Sequence, residues 1–164
     1  MSYNEKAQYL KFAEKNYKVL LKYVKSQKWK FEENKEKYKI NIDFEYEGSK
    51  IYTALCLNVD LGFVYVLARA DDFEIPETRQ SLVAAAVTLA NGKIKDGGFD
   101  YNCFKNRILF RLTTSYIDCV LDKSIYAYMV STAYHTVKDY YRKFKAVCTT
   151  KFATVGQLKS LIYN

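Results

Sequence analysis

A chain of 164 residues, nearly half of them hydrophobic, can bury one substantial core and is of ordinary size for a single domain. One proline and six glycines argue against long flexible linkers, and no charge-free apolar run reaches membrane-spanning length. The net charge of +8 points to an acidic partner, or to attraction between the chain's own basic and acidic parts.

That charge is uneven. Residues 1–28 hold seven lysines and two acids, residues 29–75 six basic and ten acidic side chains, residues 76–122 six and five, and residues 123–164 seven and one. Basic ends therefore flank an acidic middle. The opening Met-Ser-Tyr-Asn-Glu-Lys lacks the basic-then-apolar order of a secretory signal, so a soluble cytoplasmic protein is expected. Cys56, Cys103, Cys119 and Cys148 form no Cys-x-x-Cys pair, and His135 is the sole histidine. Zinc needs clustered ligands, so free, mostly buried thiols in a reducing compartment are expected instead.

In chain order, residues 4–27 read as a helix. Leu10, Ala13, Tyr17, Leu20, Leu21 and Val24 make an apolar stripe, lysines 11, 15, 18, 22 and 25 cover the rest, and Asn4 is the candidate N-cap. Residues 29–37 read as an edge strand or a loop. Tyr38, Ile40, Ile42, Phe44 and Tyr46 alternate with Lys39, Asn41, Asp43 and Glu45, which makes a strand with one face in water. Turns at Glu47-Gly48-Ser49 and at 58–62 lead to strands over 51–57 and 63–68, giving an antiparallel meander.

Pro76 opens a second helix with Leu82, Ala85, Ala86, Leu89 and Ala90 on its apolar side, stopped at Asn91-Gly92. Strands over 99–103 and 107–114 follow, with Lys105-Asn106 between them. A long helix over 124–147 places Ile125, Met129, Ala133, Val137, Tyr141 and Phe144 in a stripe, capped by Ser124 or Asp122. Residues 154–162 make a short helix with Val155, Leu158 and Leu161 on one side.

This order resembles the YbjN family of bacterial proteins, whose fold is like that of type III secretion chaperones. Trp29-Lys30-Phe31-Glu32-Glu33 is similar to the family's segment after the first helix, and Ile75-Pro76-Glu77-Thr78-Arg79 to its helix entry. Leu89-Ala90-Asn91-Gly92, then Gly98-Phe99-Asp100-Tyr101-Asn102, resembles its helix end and next strand, and Arg107-Ile108-Leu109-Phe110-Arg111 its last strand. Asn106 stands where the family pattern has glycine, and asparagine still tolerates a left-handed turn.

The match runs over most of residues 3–147. An α+β domain over 1–147 follows, in α-β-β-β-α-β-β-α order. Its five-stranded, mainly antiparallel sheet carries packed helices, and 148–164 are a C-terminal extension with a short helix. The resemblance implies a non-enzymatic regulatory or chaperone-like module that binds a segment of a partner protein. It also implies self-association as a homodimer, for which the alanine face of the second helix and the fifth strand are the expected contact.

No catalytic, cofactor or metal site is expected. His135 has Asp139 one helical turn on, but a catalytic pair lacks a placed nucleophile and a surface histidine is the simpler reading. Asp71, Asp72 and Glu74 read as a solvated acidic loop, and Gly92, Gly97 and Gly98 lack phosphate-loop spacing. Tyr52, Tyr65 and Tyr101 on strands, with Arg111, Lys138 and Arg142, are the expected partner-binding residues, tyrosine offering a rigid ring with a polar tip. The alternative is a nucleic-acid surface on the basic first and third helices, with Tyr126, Tyr128, Tyr134, Tyr140 and Tyr141 as stacking rings; solvated basic faces with tyrosines rimming the core are favoured over it.

Overall fold

A computed structural model describes residues 3–70, 74–152 and 154–164, with side chains from Gln8 onward in those ranges. The elements are α1 (Tyr3–Ser26), β1 (Phe31–Asn34), β2 (Lys39–Tyr46), β3 (Ser49–Asn58), β4 (Phe63–Ala70), a 3-10 turn (Glu77–Arg79), α2 (Gln80–Asn91), β5 (Gly98–Asn102), β6 (Arg107–Ser115), α3 (Lys123–Thr149) and α4 (Val155–Tyr163). The strands form one antiparallel sheet in the order β1-β2-β3-β4-β6-β5.

The sheet has six strands where five were expected. The added one is β1, a four-residue edge strand. Only Phe31 turns a large apolar side chain to the core, while Glu32, Glu33 and Asn34 stay exposed, so it shows no alternation to read.

Register follows from the turns. Glu47 and Gly48 both hold positive φ, +53° and +77°, which suits a two-residue turn whose twist matches the flanking strands. Ile42 then pairs with Thr53, and Leu55 with Val66. Ile40, Ile42, Ile51, Leu55, Leu57, Val64, Val66, Ala68, Ile108, Phe110 and Leu112 all fall on one face and are buried. The helices cover that face: α3 crosses β3, β4 and β6, α1 lies against β3 and α3, and α2 lies against β5 and α3.

Several element boundaries and faces depart from expectation. Asn4 lies inside the first turn of α1 rather than ahead of it. In α2 the buried residues are Val83, Ala86, Val87 and Ala90, one position round from the expected stripe; Ala85 is exposed. Three successive alanines, 84 to 86, give the helix little apolar direction of their own. Asp122, not Ser124, caps α3, its carboxylate accepting from the Ser124 amide at 2.8 Å, which holds the carboxyl below its usual range. In α4, Leu158 and Ile162 are buried while Val155 stands in solvent.

Gly92 keeps φ at −65° and is no left-handed cap. Asn91, the last residue of α2, clamps the edge of the sheet instead: its amide nitrogen donates to Phe99 O at 2.9 Å and its oxygen accepts from Phe99 N at 2.8 Å. Both outward backbone groups of Phe99, the second residue of β5, are thereby occupied, which blocks strand addition there. Asn91→Ala should cost about 1–2 kcal/mol and speed amide exchange at Phe99. Denaturant unfolding and hydrogen exchange measure the two effects, and unchanged exchange would show that the clamp does not hold the edge.

Candidate partner-binding face

Opposite the helices, the alternate residues of the sheet remain half-exposed or exposed, apart from the buried Cys56. Among the described residues no helix covers them. The register lays them out in rows across the strands. Glu32, Asn41, Ala54, Leu67 and Arg111 form one row. Asp43, Tyr52 and Arg69 form the next, beside the Leu109–Asp100 pair. Lys39, Cys56, Tyr65 and Thr113 form a third.

A hollow of about 410 Å³ lies at the centre, over Asp43, Tyr52, Ala54, Leu67, Arg69 and Leu109. A second, of about 340 Å³, adjoins it through Lys39 and reaches Cys56 and Tyr65. A third, of about 310 Å³, adjoins it through Glu32, Asn41 and Asp43. Together they make a shallow trough along the outer side of β2 and β3. Its floor is apolar at the centre, and its rim carries both signs of charge.

The trough's side chains are held in place. The Arg69 guanidinium lies over the Tyr52 ring, 5.2 Å from the centroid. Arg111 grips Asp100 with two nitrogens, at 2.8 and 3.4 Å, and the carboxylate raises its pKa above the usual guanidinium value. Burial, then a hydrogen bond with the Cys56 thiol, pushes the Tyr65 phenol up to about 12. Burial likewise raises the Cys56 thiol. Both groups are neutral at physiological pH, so this part of the face presents no reactive thiolate.

Of the residues expected from sequence, Tyr52, Tyr65 and Arg111 come together on this face. Tyr101 does not: it points to the helix side, its hydroxyl donating to Asn106 Oδ1 at 2.8 Å, with Asn106 Nδ2 donating in turn to Ile75 O at 2.6 Å. Lys138 and Arg142 also lie on the helix side. Lys138 sits over the Tyr46 ring at 5.3 Å, and Arg142 is paired with Glu47, its Nε donating to Oε2 at 2.9 Å. They pin the β2–β3 turn to α3, because the turn brings Tyr46 and Glu47 beneath that helix. The fifth expected strand, β6, is interior to the sheet, so both its edges are already paired.

Leu67, Leu109 and Arg69 were missed. One signal was available: 63–68 reads Phe-Val-Tyr-Val-Leu-Ala, apolar on both faces, although an antiparallel strand with one wet face should alternate. The surplus apolar residues mark the open side.

Tyr126, Tyr140 and Tyr141 of α3 are buried, so they offer no rings for stacking on bases. Tyr128 is exposed and its hydroxyl donates to Asp96 at 2.6 Å. His135 stands exposed, edge-on to the Tyr134 ring. Glu74 is exposed, and Asp71 and Asp72 lie outside the described residues. Among the described residues no three His, Cys, Asp or Glu side chains gather as a metal-ion site, and no helix is long and apolar enough to cross a membrane.

Comparison with family models and with curated proteins gives no match. Solved structures do share the architecture. A chain of the ExsC–ExsE complex superposes with a TM-score of 0.58 at 9% identity, covering 82% of this chain and 95% of that one. YbjN from E. coli, described as a candidate transcription regulator, superposes with a TM-score of 0.54 at 12% identity, covering 77% and 91%. The chain thus has an α+β fold of the type III secretion chaperone kind. More narrowly, that fold is YbjN-like.

Proposed function

We propose that the chain is a non-enzymatic protein-interaction module of chaperone-like or regulatory type, binding an extended segment of a partner protein across the open sheet face. The uncovered trough carries this reading: an apolar floor at Ala54, Leu67 and Leu109, one aromatic wall at Tyr52, and a rim of mixed charge. Such a surface takes an apolar anchor of the partner and reads its polar flanks. A neighbour crystallised as a complex of two proteins supports the same direction. The four free thiols suit a reducing, cytoplasmic setting.

A library of random dodecapeptides selected on the protein tests this. Selected peptides should carry a central apolar or aromatic residue and shift the amide resonances of Tyr52, Ala54, Leu67 and Leu109. Leu67→Asp should weaken them about tenfold or more while thermal unfolding stays nearly unchanged, because the residue is partly solvent-exposed in the free protein. Peptides that map to the helix side, or that tolerate Leu67→Asp, would overturn the reading.

A further inference from the structure

A second surface, separate from the sheet face, is already occupied by the chain itself. α4 lies on α2 and α3. It begins with a reciprocal cap between Thr154 and Gln157 and buries two side chains one turn apart, Leu158 and Ile162. Its carbonyl end meets two ammonium groups from different elements. Lys93, just after α2, donates to Tyr163 O at 2.5 Å, and Lys143 of α3 donates to Ile162 O at 2.9 Å. Lys93 also lies over the Tyr163 ring at 5.2 Å.

The groove therefore reads three things: an apolar residue, a second one four positions on, and negative potential at the helix's C-terminal end. α4 satisfies the last of these poorly. It answers two lysines with neutral carbonyls, and it contains a lysine, Lys159, but no acid. Desolvation, then the nearby Lys93, lowers the pKa of Lys143, with Asp139 opposing the shift. At nine residues α4 is also too short to hold helical form alone, and its first residue, Val155, is three-quarters exposed.

We infer that α4 is a displaceable internal occupant of a helix-binding groove between α2 and α3, and that the groove's partner is an amphipathic helix with apolar residues four apart and acidic side chains in its last turn. Such a helix would repeat the contacts of Leu158 and Ile162 and replace two carbonyl contacts with carboxylate–ammonium pairs. Docking of the partner would release α4.

Full-length protein tests this with fluorescent synthetic peptides. One carries the sequence of residues 154–164, and a second carries it with Asn164→Glu. The acidic peptide should bind about tenfold tighter than the plain one, and the gain should vanish in a Lys93→Ala/Lys143→Ala chain and at high salt. A Leu158→Asp/Ile162→Asp chain, with α4 undocked, should bind both peptides about tenfold tighter than the unaltered chain. In the unaltered protein, α4 amides should exchange faster than those of α2 and α3. Equal exchange rates would overturn the inference, as would absence of peptide binding to a folded Leu158→Asp/Ile162→Asp chain. Light scattering that shows α4 exchanged between two copies would also overturn it, by making a second copy the occupant.

Discussion

Asn16→Ala is expected to cost about 3–5 kcal/mol, a large fraction of the stability of a domain this size. Asn16 sits in the middle of α1 with no exposed surface. Its Nδ2 donates to Phe12 O within the helix and to Cys119 O across the domain, each at 2.9 Å. Its Oδ1 accepts from Leu121 N at 2.8 Å and from the Tyr126 hydroxyl at 2.9 Å. One side chain thus joins α1, the segment after β6 and the first turns of α3. Burial pushes the Tyr126 phenol far above its ordinary value, so it stays neutral and keeps its proton for this bond.

Alanine would leave the Leu121 amide and the Cys119 carbonyl without this partner, reduce the Tyr126 hydroxyl to its 3.2 Å bond to Asn16 O, and open a small cavity among them. Tyr126→Phe is the graded control. It removes the hydroxyl that Asn16 Oδ1 and Asn16 O share and leaves Leu121 its acceptor, so about 1–1.5 kcal/mol is expected. Denaturant unfolding of both variants checks this. An Asn16→Ala cost under about 1 kcal/mol would show that water can replace the side chain and that the hub does not tie the three elements together.

Asn16 also shows what the sequence conceals. It lies on the buried stripe, between Ala13 and Leu20 beside Tyr17, so periodicity alone shows a polar side chain on a core face. Which groups it bonds depends on where the 117–122 segment passes, and no local pattern encodes that. The β2 strand was legible because Lys39, Asn41, Asp43 and Glu45 alternate with apolar residues. α3 was legible because its stripe recurs every third or fourth residue from Ile125 to Phe144. The face of α2 was harder, since Leu82 and Leu89 point the stripe one position round from Val83 and Val87 and the alanines between them favour neither.

The candidate site was half legible for the same reason. Tyr52, Tyr65 and Arg111 were recognisable as strand residues with interface chemistry. That they share a face, and that Arg69 leans on Tyr52, depends on the pairing of Tyr52 with Arg69 and of Leu67 with Arg111. A slip of one residue in either pairing would turn these side chains to the opposite face. Lys138, Arg142 and Tyr101 lie apart from this face, because composition does not say whether a basic or aromatic residue faces solvent or seals a hairpin against a helix.

Gly97→Ala is the other large effect, about 2–4 kcal/mol. Gly97, just before β5, has φ +74°, a conformation costing an alanine about 1 kcal/mol. The added methyl would also stand 2.5 Å from Phe110 Cζ and 2.8 Å from Arg111 O. Phe110 cannot swing aside, because it is fully buried and edge-on to Phe99 at 5.5 Å. Arg111 O is backbone of a strand paired on both sides. Overpacking of this kind adds about 1–3 kcal/mol. Gly48→Ala isolates the conformational part: φ is +77° there, but nothing lies within 4 Å of the new methyl, so about 1 kcal/mol is expected. The difference between the two variants measures the clash. Because β5 carries Asp100 to Arg111, the clash should also loosen that ion pair at the end of the open face, seen as Arg111 side-chain resonances moving toward their solvent-exposed positions in Gly97→Ala alone. Equal losses in the two glycine variants would mean that β5 shifts freely and does not set the geometry of the face.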